Sequence, residues 1–132
     1  MSAFTLEVAT PERLLVRQTV SEAQVPAAKG EMGVRLEHAP LLASLGIGVL
    51  SYVSDGRRRE LFVSGGLVEV LPDRVRVLAD AGEDADEIDV KRAGEALRRV
   101  SERLGHPELG LDVARALNAL RRAQARLKAV GR

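Results

Sequence analysis

Arginines recur at helical spacing in the last third of the chain. Arg92 and Arg99 are seven residues apart, and a second set, Arg115, Arg122 and Arg126, is separated by steps of seven and four. Residues at such steps share one face of a helix. At about 8 Å and an effective dielectric constant of about 20, each pair of like charges costs roughly 2 kcal/mol before salt screening. The spacing therefore indicates either a polyphosphate site, because guanidinium groups match phosphate oxygens, or a solvated basic face that can meet an acidic partner.

Other residue types that support catalysis or metal binding occur without the spacing that such chemistry needs. The chain has no cysteine, which excludes a disulfide framework and a cysteine nucleophile. His38 and His106 are its two histidines, and neither has a second histidine at metal-ligand spacing. Gly46-Ile47-Gly48 lacks the third glycine of a dinucleotide-binding loop. The carboxylates from Glu83 to Asp89 suit capping better than acid–base work. We therefore expect no catalytic residue and no metal site.

The arginines lie on two predicted helices whose sequences repeat. Residues 88–104 and 111–127 align with identity at ten of seventeen positions, which predicts an antiparallel helical hairpin. Between them we expect Gly105 to take the left-handed geometry that ends the first helix, and Pro107 to prevent its continuation. Alanine-rich faces bury little area, so the hairpin should depend for stability on what it packs against. The apolar stripe predicted for the second helix consists of Val113, Leu117, Leu120 and Leu127.

Before the helices, residues 4–79 alternate between apolar and polar types, as strands with one buried face do. Turn residues recur roughly every 8–12 residues, which favours antiparallel meanders and a β-sandwich over βαβ units. The clearest predicted hairpin joins 49–53 to 59–63 through Asp55-Gly56, since this dipeptide tolerates the positive φ angles of a tight turn. The acidic segment 83–87 suits the N-terminus of the first helix.

Two surface features stay ambiguous at the level of sequence. Arg57-Arg58-Arg59 follows the predicted hairpin turn and indicates either a charged edge that blocks strand addition or a contact with an acidic partner. The apolar run 39–50 is mostly core strand, but its length leaves room for an exposed patch against another subunit.

The distribution of charge separates the two parts of the chain. Of the 132 residues, 1–87 carry 9 basic and 14 acidic side chains, a net charge of −5, whereas 88–132 carry 11 basic and 5 acidic, a net charge of +6. We predict a β-sandwich domain over 1–84 and a helical hairpin over 85–132, with different partners. Since no window approaches 18 uncharged apolar residues and the N-terminus lacks a signal-peptide pattern, we expect neither export nor a bilayer span.

Three segments together carry a family pattern. They are 29–34 followed by 38–43, 65–70 followed by 75–80, and Glu87-Ile88-Asp89-Val90-Lys91-Arg92-Ala93. The chain resembles, over nearly its full length, the epsilon subunit of F-type ATP synthases, called delta in mitochondria. It departs at Arg35-Leu36-Glu37, where the family usually has Leu-Pro-Gly. The resemblance implies an N-terminal flattened antiparallel β-sandwich and a C-terminal antiparallel two-helix hairpin. This agrees with the change along the chain from the alternating pattern of strands to the spacing of helices.

The resemblance also implies a role. It describes a non-catalytic rotor subunit of the central stalk, bound to the gamma subunit and to the membrane-embedded c-ring, and peripheral to the cytoplasmic face of the bacterial inner membrane. In that family the hairpin lies folded on the sandwich or extends along gamma into the catalytic head, where it inhibits ATP hydrolysis. A basic hairpin could there meet acidic segments of the alpha and beta subunits.

A regulatory ATP site is a further implication, with no cofactor required. Some bacterial members of the family bind ATP on the folded hairpin through an Ile/Leu-Asp-x-x-Arg-Ala motif and additional arginines. By that similarity Ile88 and Asp89 would face the base, and the arginines would face the phosphates. The matching residues of this sequence are Glu83, Ile88, Asp89, Arg92, Ala93, Arg99, Arg122 and Arg126.

Two other functions remain open at this point: a nucleic-acid-binding module that uses the basic helices, and a free nucleotide sensor. The first is disfavoured because Phe4, Tyr52 and Phe62 are the chain's only aromatic residues, which leaves bases almost nothing to stack on. We therefore expect no nucleic-acid partner.

Overall fold

The computed structural model describes residues 3–35 and 39–132. The departure from the family pattern at 35–37 therefore lies partly outside the described residues, and His38 lies outside them. Eight strands, a single 3₁₀ turn and two helices make up the described part. In chain order they are β1 (Phe4–Ala9), β2 (Leu14–Val20), β3 (Glu22–Ala27), β4 (Gly30–Val34), β5 (Leu41–Ser44), β6 (Ile47–Ser54), β7 (Arg57–Val70), β8 (Arg74–Asp84), the 3₁₀ turn (Ala85–Glu87), α1 (Val90–Gly105) and α2 (Val113–Ala129).

The strands form one continuous sheet that folds back on itself. Its order is β2-β1-β8-β7-β6-β3-β4, and β5 pairs with β7. The first half of the 14-residue strand β7 pairs with β6 and its second half with β5, and the halves meet at Gly65 and Gly66, whose φ angles are 70° and 120°. Contact between β2 and β6, which are separated by three strands in the sheet order, shows that two layers face each other. The predicted flattened sandwich is confirmed.

Alternating apolar residues fill the space between these layers, as the sequence predicts. In β8, Val75 and Val77 are buried while Arg74 and Arg76 are exposed. The β6–β7 hairpin turns at Asp55 and Gly56, with φ angles of 52° and 75°, so this prediction is also confirmed. The largest fully buried members of the main core are Leu6, Leu50, Leu61, Val8, Val20, Val25, Val34, Val63, Val68, Val70 and Val75.

One strand pair departs from the antiparallel pattern. β1 runs parallel to β8, with Leu6 opposite Val75 and Val8 opposite Val77. Turn spacing reports only how consecutive strands connect, and this pair joins the first strand to the last. The sequence therefore carries no local signal for it.

Both helices begin with the same cap, at equivalent positions of the internal repeat. The Asp89 carboxylate accepts a hydrogen bond of 3.0 Å from the Arg92 backbone N–H, and the Asp112 carboxylate accepts one of 3.0 Å from that of Arg115. The two aspartates have nearly equal dihedral angles, −78°, 97° and −79°, 97°. α1 packs on α2, and the predicted helical hairpin is confirmed.

The boundaries of α1 differ from the expectation in two ways. Gly105 is the last helical residue, His106 is the C-cap with a φ of −134°, and the positive φ of the loop falls at Gly110. At the other end, the acidic segment is not part of an α-helix, because Asp84 and Glu87 form a reciprocal capping box around the 3₁₀ turn. The chain then extends through Ile88 before Asp89 starts α1.

The apolar stripe predicted for α2 is wrong in its first half, whereas Leu120 and Leu127 in its second half are half-buried. Val113 and Leu117 are 51% and 38% exposed, and the side chains that α2 buries are alanines. Because α2 contacts α1 on one side and the sheet on the other, small side chains let both neighbours approach closely. The buried residues of α2 are Ala116, Ala123, Ala125 and Ala129.

Candidate functional site

An ion pair joins α2 to the end of the sheet. Nε of Arg126 lies 2.6 Å from a carboxylate oxygen of Glu83, which belongs to β8, and each side chain is 32% exposed. The Arg126 guanidinium also lies over the ring of Phe62, 4.2 Å from its centroid. A charge-assisted hydrogen bond and a cation–π contact thus act on the same arginine. The structure brings two of the sequence-predicted site residues, Glu83 and Arg126, together.

A small apolar cluster lies beneath this ion pair and is separate from the main core. Its buried members are Phe62, Ile88, Ala125 and Ala129, with Ile47, Val49 and Val130 packed against it. The main contacts of the hairpin with the sheet are those of α2 with β6 and β7. Two of the buried side chains are alanines, which remove little apolar area from water. The hairpin is therefore held by a modest contact.

The segment that leads into α1 has its own attachment to the sandwich. Arg13, in the turn between β1 and β2, forms a two-pronged ion pair with Glu87, both N···O distances being 2.8 Å. The Glu87 carboxylate also accepts a 3.3 Å hydrogen bond from the Asp84 backbone N–H. The hydrogen bonds from Arg13 lower the pKa of Glu87 below its ordinary value of 4.5. This contact fixes where the hairpin begins.

The lowered pKa makes the contribution of this ion pair depend on pH. A carboxylate whose pKa is lower in the folded protein than in the unfolded chain stabilises the fold at pH values above its unfolded-state pKa. This stabilisation is lost as the pH falls through its folded-state pKa. We expect Glu87→Gln to lower the free energy of unfolding relative to the wild type at pH 7, with the difference shrinking below pH 4.5. Urea unfolding across this range measures it. A difference that is constant with pH would contradict the ionic contribution.

Between the two helices, four arginines line an open groove of about 630 Å³. They are Arg99, Arg103, Arg115 and Arg122. Asp112 is the acidic residue of the lining, and its carboxylate is already engaged in capping α2. Among residues 3–35 and 39–132, no ion pair forms to any of the four arginines. Their guanidinium groups are therefore available to an anion.

The other sequence-predicted site residues lie in three different settings. Ile88 and Ala93 are buried, and the Asp89 carboxylate caps α1. Arg92 is exposed and does not line the groove, whereas Arg99 and Arg122 do. The structure thus separates the predicted set into a sheet-facing part around Glu83 and Arg126 and a groove-facing part around Arg99 and Arg122.

Arg103 and Arg115 are the groove arginines that the set of eight predicted site residues lacks. Arg115 belongs to the helical arginine spacing of the sequence, and Arg103 follows Arg99 by four residues and is the repeat equivalent of Arg126. Two further observations concern the described part of the chain. No group of three or more metal-binding side chains forms there, and no helix there has the length and hydropathy of a bilayer-spanning segment.

Two family profiles match successive parts of the sequence. The beta-sandwich domain of the ATP synthase delta/epsilon chain matches residues 3–85, and the long alpha-helix domain of the same chain matches residues 86–131. Among solved structures, a chain of the Euglena gracilis mitochondrial ATP synthase (OSCP/F1/c-ring) superposes with a TM-score of 0.84 at 20% identity, covering 98% of this chain and 82% of that one. A chain of the Tetrahymena thermophila mitochondrial ATP synthase central stalk/c-ring superposes with a TM-score of 0.63 at 15% identity, covering 96% of this chain and 96% of that one. These two likenesses concern the fold.

Curated relatives match over most of their own length. The ATP synthase epsilon chain of Solibacter usitatus is 57% identical over 122 residues, which cover 92% of this chain and 91% of that one. The ATP synthase epsilon chain of Symbiobacterium thermophilum is 47% identical over 132 residues, covering 99% and 95%. These matches confirm the resemblance carried by the three sequence segments. The chain belongs to the ATP synthase delta/epsilon chain family.

Proposed function

We propose that the chain is a non-catalytic rotor subunit whose sandwich binds the gamma subunit and the c-ring, and whose hairpin regulates ATP hydrolysis. In this proposal it is peripheral to the cytoplasmic face of the bacterial inner membrane, and the basic hairpin meets the alpha and beta subunits when it extends. The observation that carries the proposal is the modest attachment of the hairpin. One helix, one partly buried ion pair and a small alanine-containing cluster hold it on the sheet.

A row of exposed leucines on the sandwich supports docking to another subunit. Leu67 of β7 is opposite Leu78 of β8, Leu78 is opposite Ala9 of β1, and Ala9 is opposite Leu14 of β2. Cross-strand partners share one face of a sheet. Leu42 of β5 is a diagonal neighbour of Leu67 on that face. The four leucines are 47–66% exposed, which is unusual for side chains of this size in a contiguous row.

This leucine row gives the rotor-docking half of the proposal a direct test. We expect Leu78→Glu to weaken binding to a gamma–c-ring preparation about tenfold or more, because burying a leucine contributes about 1.5–3 kcal/mol and the new charge would have to be desolvated. Sedimentation with the c-ring measures binding. Leu109→Glu is the matched control, since Leu109 is fully exposed at the hairpin loop. Equal binding by both variants would contradict docking through this face.

A mobile arm needs two positions of similar free energy, and the charges of the hairpin suit both. Folded, Arg126 has Glu83 as its partner. Extended, a segment with a net charge of +6 over 88–132 would be attracted to acidic surfaces of the catalytic head. Because each position offers the basic hairpin an acidic partner, charge alone does not strongly favour either one.

We extend the proposal to ATP as a regulatory ligand of the folded hairpin. The supporting observation is that Arg99 and Arg122 face the groove from opposite helices without an acidic partner in the described residues. A ligand that binds both holds the helices together. If ATP binds only the folded form, ten times its dissociation constant stabilises that form by about 1.4 kcal/mol. This is sufficient to bias an arm held by so small a contact.

Removal of the hairpin tests the regulatory half of the proposal. A chain that ends at Glu87 keeps the sandwich and the Arg13–Glu87 ion pair. We expect the reconstituted complex carrying it to hydrolyse ATP about fivefold faster or more, in the range of ordinary allosteric couplings. The measurement is the steady-state ATPase activity of this complex, compared with that of the complex carrying the full chain. Both complexes contain the same amount of their respective chain. Unchanged activity would contradict an inhibitory arm.

A further inference from the structure

The internal repeat of the hairpin places equivalent arginines in different surroundings. Arg126 and Arg92 have Arg103 and Arg115 as their repeat equivalents, each 23 positions away in the sequence. Arg126 is paired with Glu83 at the base of the hairpin, beside the sheet. Arg103 and Arg115 instead line the groove near the loop that joins the helices, which we call the tip. The protein's own carboxylate therefore pairs with Arg126 and not with its repeat equivalent Arg103.

The repeat also duplicates the segment that starts each helix. Leu111-Asp112-Val113-Ala114-Arg115-Ala116 corresponds to 88–93, and both aspartates cap their helices with the same geometry. The first copy is closed, because Ile88 is buried against Phe62. The second copy is open: Leu111, Asp112, Arg115 and Ala116 all line the groove. The second copy thus forms one wall of this groove.

Arginines outnumber acidic residues four to one in the lining of this groove, while Glu102 and Glu108 line the adjoining tip cavity with Arg103. The arginines of the groove come from both helices, and its acidic member, Asp112, accepts the backbone N–H of Arg115. The described residues supply no ion pair to any of the four arginines. Four guanidinium groups around one groove repel each other, and an anion with several charges relieves that repulsion. The volume of about 630 Å³ lies in the range of small-molecule sites.

We propose that the tip half of this groove is a polyphosphate site centred on Arg103 and Arg115. Arg99 and Arg122, which the nucleotide proposal also uses, complete it from the middle of the groove. Two facing arginines on different helices suit a chain of linked phosphates, because each can bind its own phosphate group through paired N–H donors. A ligand bound there joins α1 to α2 without contact with the sheet. It would hold the hairpin closed whether or not the hairpin is docked, and the site does not require nucleotide binding at the base.

Calorimetric titration of the full chain with sodium tripolyphosphate tests this site. We expect saturable binding that the double variant Arg103→Ala/Arg115→Ala weakens at least about tenfold, since two charge-assisted contacts are lost. Arg98→Ala is the matched control, because Arg98 is an exposed arginine of α1 outside the groove. Arg92→Ala probes the base of the hairpin. Arg98→Ala should keep the affinity within twofold, Arg92→Ala should weaken binding less than the double variant does, and circular dichroism verifies that every variant retains its helices.

Three outcomes would overturn the proposal. They are the absence of saturable binding, an equal loss with Arg98→Ala, which would indicate general attraction to a basic surface, and a greater loss with Arg92→Ala than with the double variant. The last outcome would leave a nucleotide site at the base intact, so the two proposals fail separately. The same titrations with ATP identify the source of the phosphate chain. If ATP binds more tightly than tripolyphosphate and the double variant loses this binding, the ligand is a nucleotide. If ATP binds equally tightly or more weakly, the ligand is the inorganic phosphate chain.

Discussion

Replacing Arg126 with glutamate is expected to release the hairpin from the sheet. The variant loses a 2.6 Å charge-assisted hydrogen bond to Glu83 and the contact over Phe62, and it places two carboxylates side by side. A hydrogen bond to a charged group contributes about 1.5–3 kcal/mol. A loss of about 2 kcal/mol shifts the balance between docked and released hairpin about 30-fold. Because the apolar contact beneath is small, little else opposes release.

The absence of native cysteines makes this release measurable by distance. Spin labels on cysteines introduced at Asp73, in an exposed turn of the sandwich, and at Leu109, in the hairpin loop, report the docked position as a narrow distance distribution. We expect Arg126→Glu to broaden this distribution. Arg98→Glu, the same charge change on the exposed face of α1, should leave it unchanged.

Charge exchange separates the ion pair from other effects of the substitution. The double variant Glu83→Arg/Arg126→Glu restores opposite charges, and we expect it to recover much of the narrow distribution, though not the cation–π contact. In the reconstituted complex, Arg126→Glu alone should slow ATP hydrolysis, whereas removal of 88–132 should speed it. Retention of a fully docked hairpin in Arg126→Glu would show that the ion pair does not hold it.

Gly66→Ala is expected to destabilise the sandwich by about 3 kcal/mol. A Cβ at Gly66 would lie 1.9 Å from the Leu78 carbonyl oxygen, and the φ angle of 120° is one that residues with side chains rarely adopt. Backbone strain of this kind costs about 1–3 kcal/mol, and displacement of packed neighbours costs a similar amount. Gly66 marks the point where β7 passes from one layer of the sandwich to the other. The two strands would therefore have to separate where the fold turns.

The same substitution has the opposite sign in the helical hairpin. Gly94 lies inside α1, and a Cβ there would meet nothing within 4 Å. We expect Gly94→Ala to stabilise the chain by about 0.5–1 kcal/mol, since alanine loses less conformational entropy than glycine in a helix. Urea unfolding of both variants measures the contrast. A loss below about 1 kcal/mol for Gly66→Ala would show that the backbone at the turn of the sandwich can relax.

Much of the fold follows from local signals in the sequence. Asp55-Gly56 sets the β6–β7 turn because few other residues accept two successive positive φ angles. The change of period after the last strand separates sandwich from hairpin. Asp89 and Asp112 start the two helices, because a carboxylate at the N-cap position accepts hydrogen bonds from free N–H groups of the first turn. Each of these signals acts within a few residues.

Packing decided what the local signals could not. Val113 and Leu117 are apolar and correctly spaced, yet they are exposed, and the residues that α2 buries between α1 and the sheet are alanines. β1 lies beside β8 through a pairing that joins opposite ends of the sandwich domain. Contacts between distant segments produce no periodic pattern in the sequence. The alternation of apolar and polar residues within a strand is the same whichever strand it pairs with.

The arginines of the candidate site also show what the sequence determines and what tertiary structure determines. Their types, number and helical spacing are determined by the sequence alone, and so is their resemblance to the ATP synthase epsilon family. Which of them is neutralised is decided by tertiary structure: Arg126 meets Glu83 beside the sheet, while its repeat equivalent Arg103 lines an open groove. Identical residues in a duplicated sequence acquire different chemistry because the sheet packs against only one end of the hairpin. The electrostatic environment of a side chain depends on its neighbours in space, which the repeat does not encode.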